Sequence, residues 1–268
     1  MILIKGGRLI DPRSNTDELR DIIIEDGKIK YIGKFHISDE YEQVIDAKCL
    51  VVAPGLVDIH VHFRDPGFTY KEDILTGSAA AARGGFTTVV CMANTKPVVD
   101  NVETLQYVLD TAEKSPINVK TIAAVSKGFK GEELTDMAEL RKMGAVGFSD
   151  DWIPLTNSAC VRKARLAVKE QNMVISLHEE DPLLMGKAGV NDGEVSASFG
   201  FVGAPKVSES AMVARDCMLA LDTGAKVHMQ HLSCAESVAL VRLAKQLGAN
   251  VTSEATPQHF TLTQDTVM

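Results

Sequence analysis

Gly55-Leu56-Val57-Asp58-Ile59-His60-Val61-His62-Phe63-Arg64 starts apolar and from Asp58 onward alternates strictly between polar and apolar residues. In a β-strand successive side chains face opposite sides. Ile59, Val61 and Phe63 therefore share one face, and Asp58, His60, His62 and Arg64 share the other. Four polar side chains turned into a dry core would be costly. At the C-terminal mouth of a barrel they form a site. Two histidines at i and i+2 on one strand face both reach a single metal ion. The competing reading is a pair of hydrogen-bonded core histidines, which suits a lone histidine better than an H-x-H at the end of a buried strand, followed by arginine.

Outward from this strand the texture repeats. Apolar, β-branched runs at 55–63, 87–93, 118–125, 145–149, 174–178, 226–232 and 250–254 read as strands. Between them, 73–83, 102–114, 132–143, 158–171, 208–223 and 234–247 read as helices, several ending at a glycine such as Gly84, Gly144, Gly224 or Gly248. Strands alternating with helices imply parallel pairing, and continuous apolar runs suit strands buried on both faces. The fold class is α/β. No G-x-G-x-x-G follows the first strand, so a (β/α)₈ TIM-type barrel fits better than a doubly wound sheet, and it is one strand short. Residues 1–52 differ: they hold short β-rich runs at 2–4, 8–10, 21–25, 28–32 and 43–45, with Asp26-Gly27 as a two-residue hairpin signal. The expected organisation is a small β subdomain over 1–52 and a barrel over 53–268.

Further metal ligands are expected at other strand ends. Asp151 follows the 145–149 strand, His178 ends the 174–178 strand, and His231 falls at the end of the 226–232 strand. Neutral imidazole and carboxylate suit zinc with an open position for water. His228 has the opposite parity to His231 and is expected to face a helix. His36 lies in the small β region, and His259 follows Pro257 in a loop.

Composition excludes several classes. Hydrophobic residues make up 45% and charged residues 24%, ordinary for a soluble globular chain and too apolar for a disordered one. No stretch approaches the ~18 apolar residues of a membrane helix. A net charge of −8 disfavours nucleic acid as a partner. The five cysteines form no C-x-x-C pair and read as buried, inert thiols. The apolar start Ile2-Leu3-Ile4 is too short for a signal peptide core, so a reducing cytoplasm is the expected location.

The run Ala53-Pro54-Gly55 through Asp65-Pro66-Gly67 closely resembles the amidohydrolase superfamily, and specifically the dihydroorotase family. Phe68–Ile74, Thr76–Thr88, Met92-Ala93-Asn94-Thr95-Lys96-Pro97 and Gly147-Phe148-Ser149-Asp150-Asp151 look like its bacterial type I members. The resemblance runs along the whole chain. It implies a β-sandwich built from both chain ends beside a metal-bearing barrel, with one or two zinc ions per subunit. By resemblance His60 and His62 bind the more buried metal, Asp151 bridges, and His178 and His231 bind the second. It places Arg64 and Asn94, with His62, at the substrate. A guanidinium fork also matches a carboxylate on its own chemistry. The implied reaction is reversible cyclisation of N-carbamoyl-L-aspartate to L-dihydroorotate in pyrimidine biosynthesis. A homodimer, and association with aspartate transcarbamoylase, are implied partners.

Two features bear on the alternatives. Hydantoinases and allantoinases carry a bridging carboxylated lysine after the fourth strand, whereas this chain has Ser149-Asp150-Asp151-Trp152. Asp151 shares parity with Ser149 and is preferred over Asp150. Trp152 either shapes the pocket rim or packs. The family's eighth strand carries a catalytic aspartate in a D-x-A-P-H motif, and no such motif occurs here. No residue of this chain is therefore assigned as catalytic acid or base. A barrel alone takes about 250 residues, more than 53–268 supply, so the expectation is a fragment of a longer enzyme with weak or no turnover by itself. A non-catalytic dihydroorotase-like subunit is the third reading, disfavoured because the five ligands are all present.

Overall fold

A computed structural model describes residues 1–34 and 41–267, and His36 lies outside them. The chain divides into two units, Met1–Leu56 and Val57–Met268.

In the first unit, β1 (Ile2–Asp11), β2 (Thr16–Glu25), β3 (Lys28–Gly33), β4 (Gln43–Asp46) and β5 (Val51–Val52) form one sheet. Its order is β3-β2-β1-β4, with β5 also on β1. The runs at 2–4 and 8–10 are a single strand. Between β2 and β3, Glu25 pairs with Lys28 across Asp26 and Gly27, whose φ values are +50° and +71°. Two left-handed residues in a row make the turn that matches strand twist, and glycine occupies it without a Cβ penalty. The sheet buries Leu3, Leu9, Ile22 and Ile23 but exposes Leu19, Ile29, Val44 and Val51. That is the limited burial a few hairpins can achieve.

The second unit alternates strand and helix: β6 (Leu56–Val61), α1 (Ile74–Arg83), β7 (Phe86–Cys91), α2 (Val102–Ala112), β8 (Asn118–Thr121), α3 (Met137–Met143), α4 (Ser158–Glu170), β9 (Val174–Leu177), α5 (Pro182–Met185), β10 (Val190–Asn191), α6 (Glu194–Phe199), β11 (Gly203–Ala204), α7 (Val207–Thr223), β12 (Lys226–Met229), α8 (Ala235–Gln246), β13 (Val251–Ser253) and α9 (Pro257–Thr261). Helices start where side chains cap free amides: Asp73 accepts from Thr76 N at 2.8 Å and Asn101 from Thr104 N at 2.9 Å.

The sheets run β6-β7-β8 and β9-β12-β13. The expected strand at 145–149 is not a regular strand. Phe148 instead bridges Ala123 and Ile175 in parallel, and so joins the two sheets in chain order. Val146 N, Ser149 N and Ser176 N close the pairing onto Thr121, Ala123 and Phe148 carbonyls. Backbone pairing from β13 back to β6 is absent among the described residues, so the seven-stranded barrel is open there. The core packs between strands and helices around Phe63, Val89, Leu105, Phe148, Ile175, Val213 and Met229.

Four of the five cysteines are buried, but Cys49 is exposed, in a turn at φ +63°. Burial pushes the Cys91 thiol up to about 12 and the Cys217 thiol up to about 11.

The segment that carries the two histidines is held from behind. A Cβ on Gly77 of α1 would collide with the Phe63 ring. Gly77→Ala is expected to cost about 1–3 kcal/mol through overpacking, partly offset by up to ~1 kcal/mol of helix propensity. Urea unfolding checks it, and a rise in midpoint would contradict this packing.

Candidate metal centre

The polar residues at the C-terminal ends of the strands converge. His60 lies on β6, His62 just past it, Asn94 after β7, Asp151 beyond Phe148, His178 after β9 and His231 after β12. His60 Nε2 is 3.2 Å from His62 Nε2 and 3.2 Å from Asp151 Oδ1. His62 Nε2 lies 3.6 Å from Asp151 Oδ2, and His178 Nδ1 lies 3.0 Å from His231 Nε2. Two groups could each hold a metal ion: His60, His62 and Asp151, and Asp151, His178 and His231, with the donor atoms of each within 4.8 Å of one another. Asp151 belongs to both. Imidazole nitrogens with one shared carboxylate are a donor set suited to zinc, and the residues present fit such an ion.

The adjacent aspartates have separate tasks. Asp150 accepts Val125 N at 2.7 Å, Ser126 N at 3.0 Å and the Ser126 hydroxyl, pinning the segment after β8. Burial raises its carboxyl to about 6 against those hydrogen bonds. Asp151 is 3% exposed and aims at the histidines. Burial works to raise the Asp151 carboxyl, but the His60 hydrogen bond and the charges of His62, His60 and His178 bring it below its usual range. Burial holds His62, His178 and His231 below the ordinary imidazole value, the neutral form a ligand needs. Burial also opposes protonation of His60, but Asp151 and Glu254 outweigh it and raise the ring to about 9.

Asn94 sits among these groups, with Oδ1 3.0 Å from His62 Nδ1 and Nδ2 donating to Asp151 Oδ2 at 2.9 Å. Arg64 has φ +59°, and its guanidinium lies 5.9 Å from the Trp152 ring centroid, a cation–π contact. It makes no side-chain hydrogen bond among the described residues. Trp152 is thus a platform for Arg64.

Parity misplaced one histidine. β12 ends at Met229, and His231 has φ +32°, so the alternation does not reach it. His228 is buried and turned toward β13 rather than toward a helix, bonded to Thr252 Oγ1 at 2.8 Å and Glu254 Oε2 at 3.1 Å. Glu254 went unnoticed, although a carboxylate closing the 250–254 strand was a legible signal. Its other oxygen meets His60 Nδ1 at 2.5 Å.

A cavity of about 620 Å³ opens beside His178 and His231 and is also lined by Glu180, Lys206, Gln258 and His259. The long 179–207 segment, which contains α5, β10, α6 and β11, supplies part of its wall. A larger hollow of about 800 Å³ lies at the opposite ends of the strands, against Thr87, Asn118 and Gly144, and holds none of the histidines.

A family described as dihydro-orotase-like matches residues 49–237. The chain is 58% identical over 268 residues to a dihydroorotase of Clostridioides difficile (strain 630), covering 100% of this chain and 64% of that protein. It is 54% identical over 266 residues to a dihydroorotase of Lactococcus lactis subsp. lactis (strain IL1403), covering 99% and 63%. The chain thus spans less than two thirds of the length of these curated relatives. Among solved structures, an L-hydantoinase (dihydropyrimidinase) from Arthrobacter aurescens matches with TM-score 0.80 and 21% identity over 98% of this chain and 60% of that one. A D-hydantoinase (dihydropyrimidinase) from Thermus sp. matches with TM-score 0.79 and 26% identity over 99% and 59%. These likenesses carry the fold, an amidohydrolase barrel.

Proposed function

The chain belongs to the dihydroorotase-like family, and from that premise we propose that the whole protein is a zinc-dependent dihydroorotase, interconverting N-carbamoyl-L-aspartate and L-dihydroorotate in pyrimidine biosynthesis. The observation that carries this reading is Asp151, set between the His60–His62 pair and the His178–His231 pair. A hydantoinase-type site needs a lysine where this chain has Asp151. His60, His62, Asp151, His178 and His231 would hold one or two zinc ions. Bound zinc polarises a carbonyl and activates water at neutral pH.

The protein's own groups do the rest. Arg64 offers a guanidinium with no competing side-chain hydrogen bond among the described residues, lying over the Trp152 ring. It takes the substrate carboxylate as a fork. Asn94 spends one amide hydrogen on Asp151 and has a second for the same carboxylate. Fixing that end of the substrate holds the reacting carbon against the metal centre, which is where orientation lowers the barrier. Five free cysteines, four of them buried, support a reducing cytoplasm as the location. A homodimer, associating with aspartate transcarbamoylase, completes the proposal.

The test supplies zinc and carbamoyl aspartate to the protein expressed from its full reading frame and follows dihydroorotate. Failure to form it, or opening of hydantoin rings instead, overturns the reading. Arg64→Ala should raise KM for carbamoyl aspartate roughly 10–100-fold, the loss of a charge-assisted bidentate contact of about 1.5–3 kcal/mol. An unchanged KM would remove Arg64 from the substrate.

A further inference from the structure

Glu254 joins two histidines from different strands. Its Oε1 faces His60 Nδ1 at 2.5 Å and accepts His231 N at 3.3 Å, while Oε2 faces His228 Nε2 at 3.1 Å. An ionised carboxylate only accepts, so each of those ring nitrogens must carry the proton. His228 then has its lone pair on Nδ1, which accepts the Thr252 hydroxyl at 2.8 Å. Every donor in the chain Thr252, His228, Glu254, His60 finds one acceptor. β13 aligns the carboxylate with Thr252, and the parallel register sets Thr252 against His228 of β12. Glu254 and His60 are 194 residues apart in sequence.

We propose that Glu254 is a positioning residue. It holds His60 as the Nδ1–H tautomer and so presents Nε2 to the metal, with His228 and Thr252 fixing the carboxylate from behind. This rests on the metal-centre reading above. The same logic applies next door. Asn94 Oδ1 faces His62 Nδ1 at 3.0 Å, so both strand histidines turn Nε2 toward Asp151. Partners behind ligating histidines set tautomer and ring orientation, and removing them typically costs 10–100-fold in metal affinity. A carboxylate that merely tied strand ends together would leave the tautomer of His60 unspecified.

Two measurements test this. In metal-free ¹⁵N-labelled wild-type protein held well above pH 9, where the His60 ring is neutral, long-range ¹⁵N–¹H correlation should show the His60 proton on Nδ1, with His60→Gln identifying its signals; this needs no variant at Glu254. Zinc affinity by chelator competition should fall roughly 10–100-fold in Glu254→Gln, because an amide offers an acceptor to only one of the two rings. Finding His60 as the Nε2–H tautomer, or zinc held as tightly by Glu254→Gln as by wild type, overturns the role of Glu254. If wild type binds zinc and His60→Ala does not, the metal centre survives that outcome. A wild type that takes up no zinc overturns both readings.

Discussion

Asp151→Ala is expected to leave the protein without bound zinc. Asp151 is the one residue common to both candidate ligand groups. Its two oxygens are divided, Oδ1 toward His60 and Oδ2 toward His62 and Asn94. Removing it deletes a ligand from each group at once and leaves four imidazoles with no anion between them. It also strands the Asn94 amide, which donates to that carboxylate while its oxygen holds His62. The loss should therefore exceed the roughly 10–100-fold typical of removing a supporting contact. Equilibrium dialysis with elemental analysis measures it. Asp150→Asn is the control: it weakens the hydrogen bonds to Val125 and Ser126 and should cost about 1–3 kcal/mol of stability while retaining zinc. A full zinc complement in Asp151→Ala would show that the carboxylate does not ligate.

Much of this site is readable from residue order, and the parts that are not have definite causes. Period-two alternation puts His60 and His62 on one face, and β6 is regular up to Val61; both rings lie near Asp151. The same rule fails at His231, where the backbone has left β12 and turned through a positive φ. The strand expected at 145–149 is paired on both sides, yet it survives only as bridges through Phe148. The short elements between Pro182 and Ala204 are too brief to show a period. Glu254 closes the 250–254 strand with a carboxylate, which is legible, but its partner His60 is 194 residues away in the chain, and local pattern cannot supply that pairing. Buried charge is equally silent. Arg165 stands in α4 like any solvent-facing arginine, yet it is fully enclosed.

That enclosure makes Asp216→Ala the most destabilising change expected away from the metal centre. Arg165 of α4 and Asp216 of α7 are both 0% exposed. Arg165 Nη1 donates to the Asp216 carbonyl at 2.6 Å, and Nη2 donates to its carboxylate. Arg215 holds the other carboxylate oxygen at 2.5 Å and reaches Leu155 O at 2.7 Å. Glu179, beside His178, is also buried, and its carboxyl lies against Asp216. Burial first, and then the Asp216 charge, hold the Glu179 carboxyl well above its usual range. While Asp216 is present, Glu179 does not balance Arg165. Deleting Asp216 leaves a buried guanidinium without its anion, which typically costs about 3–5 kcal/mol. Asp216→Asn keeps an acceptor for Arg165 and should cost less. Denaturant unfolding of both variants checks the order. If Asp216→Ala were as stable as the parent, Glu179 would have ionised and taken over the pairing, and α4 would be anchored to the strand end carrying His178 rather than to α7.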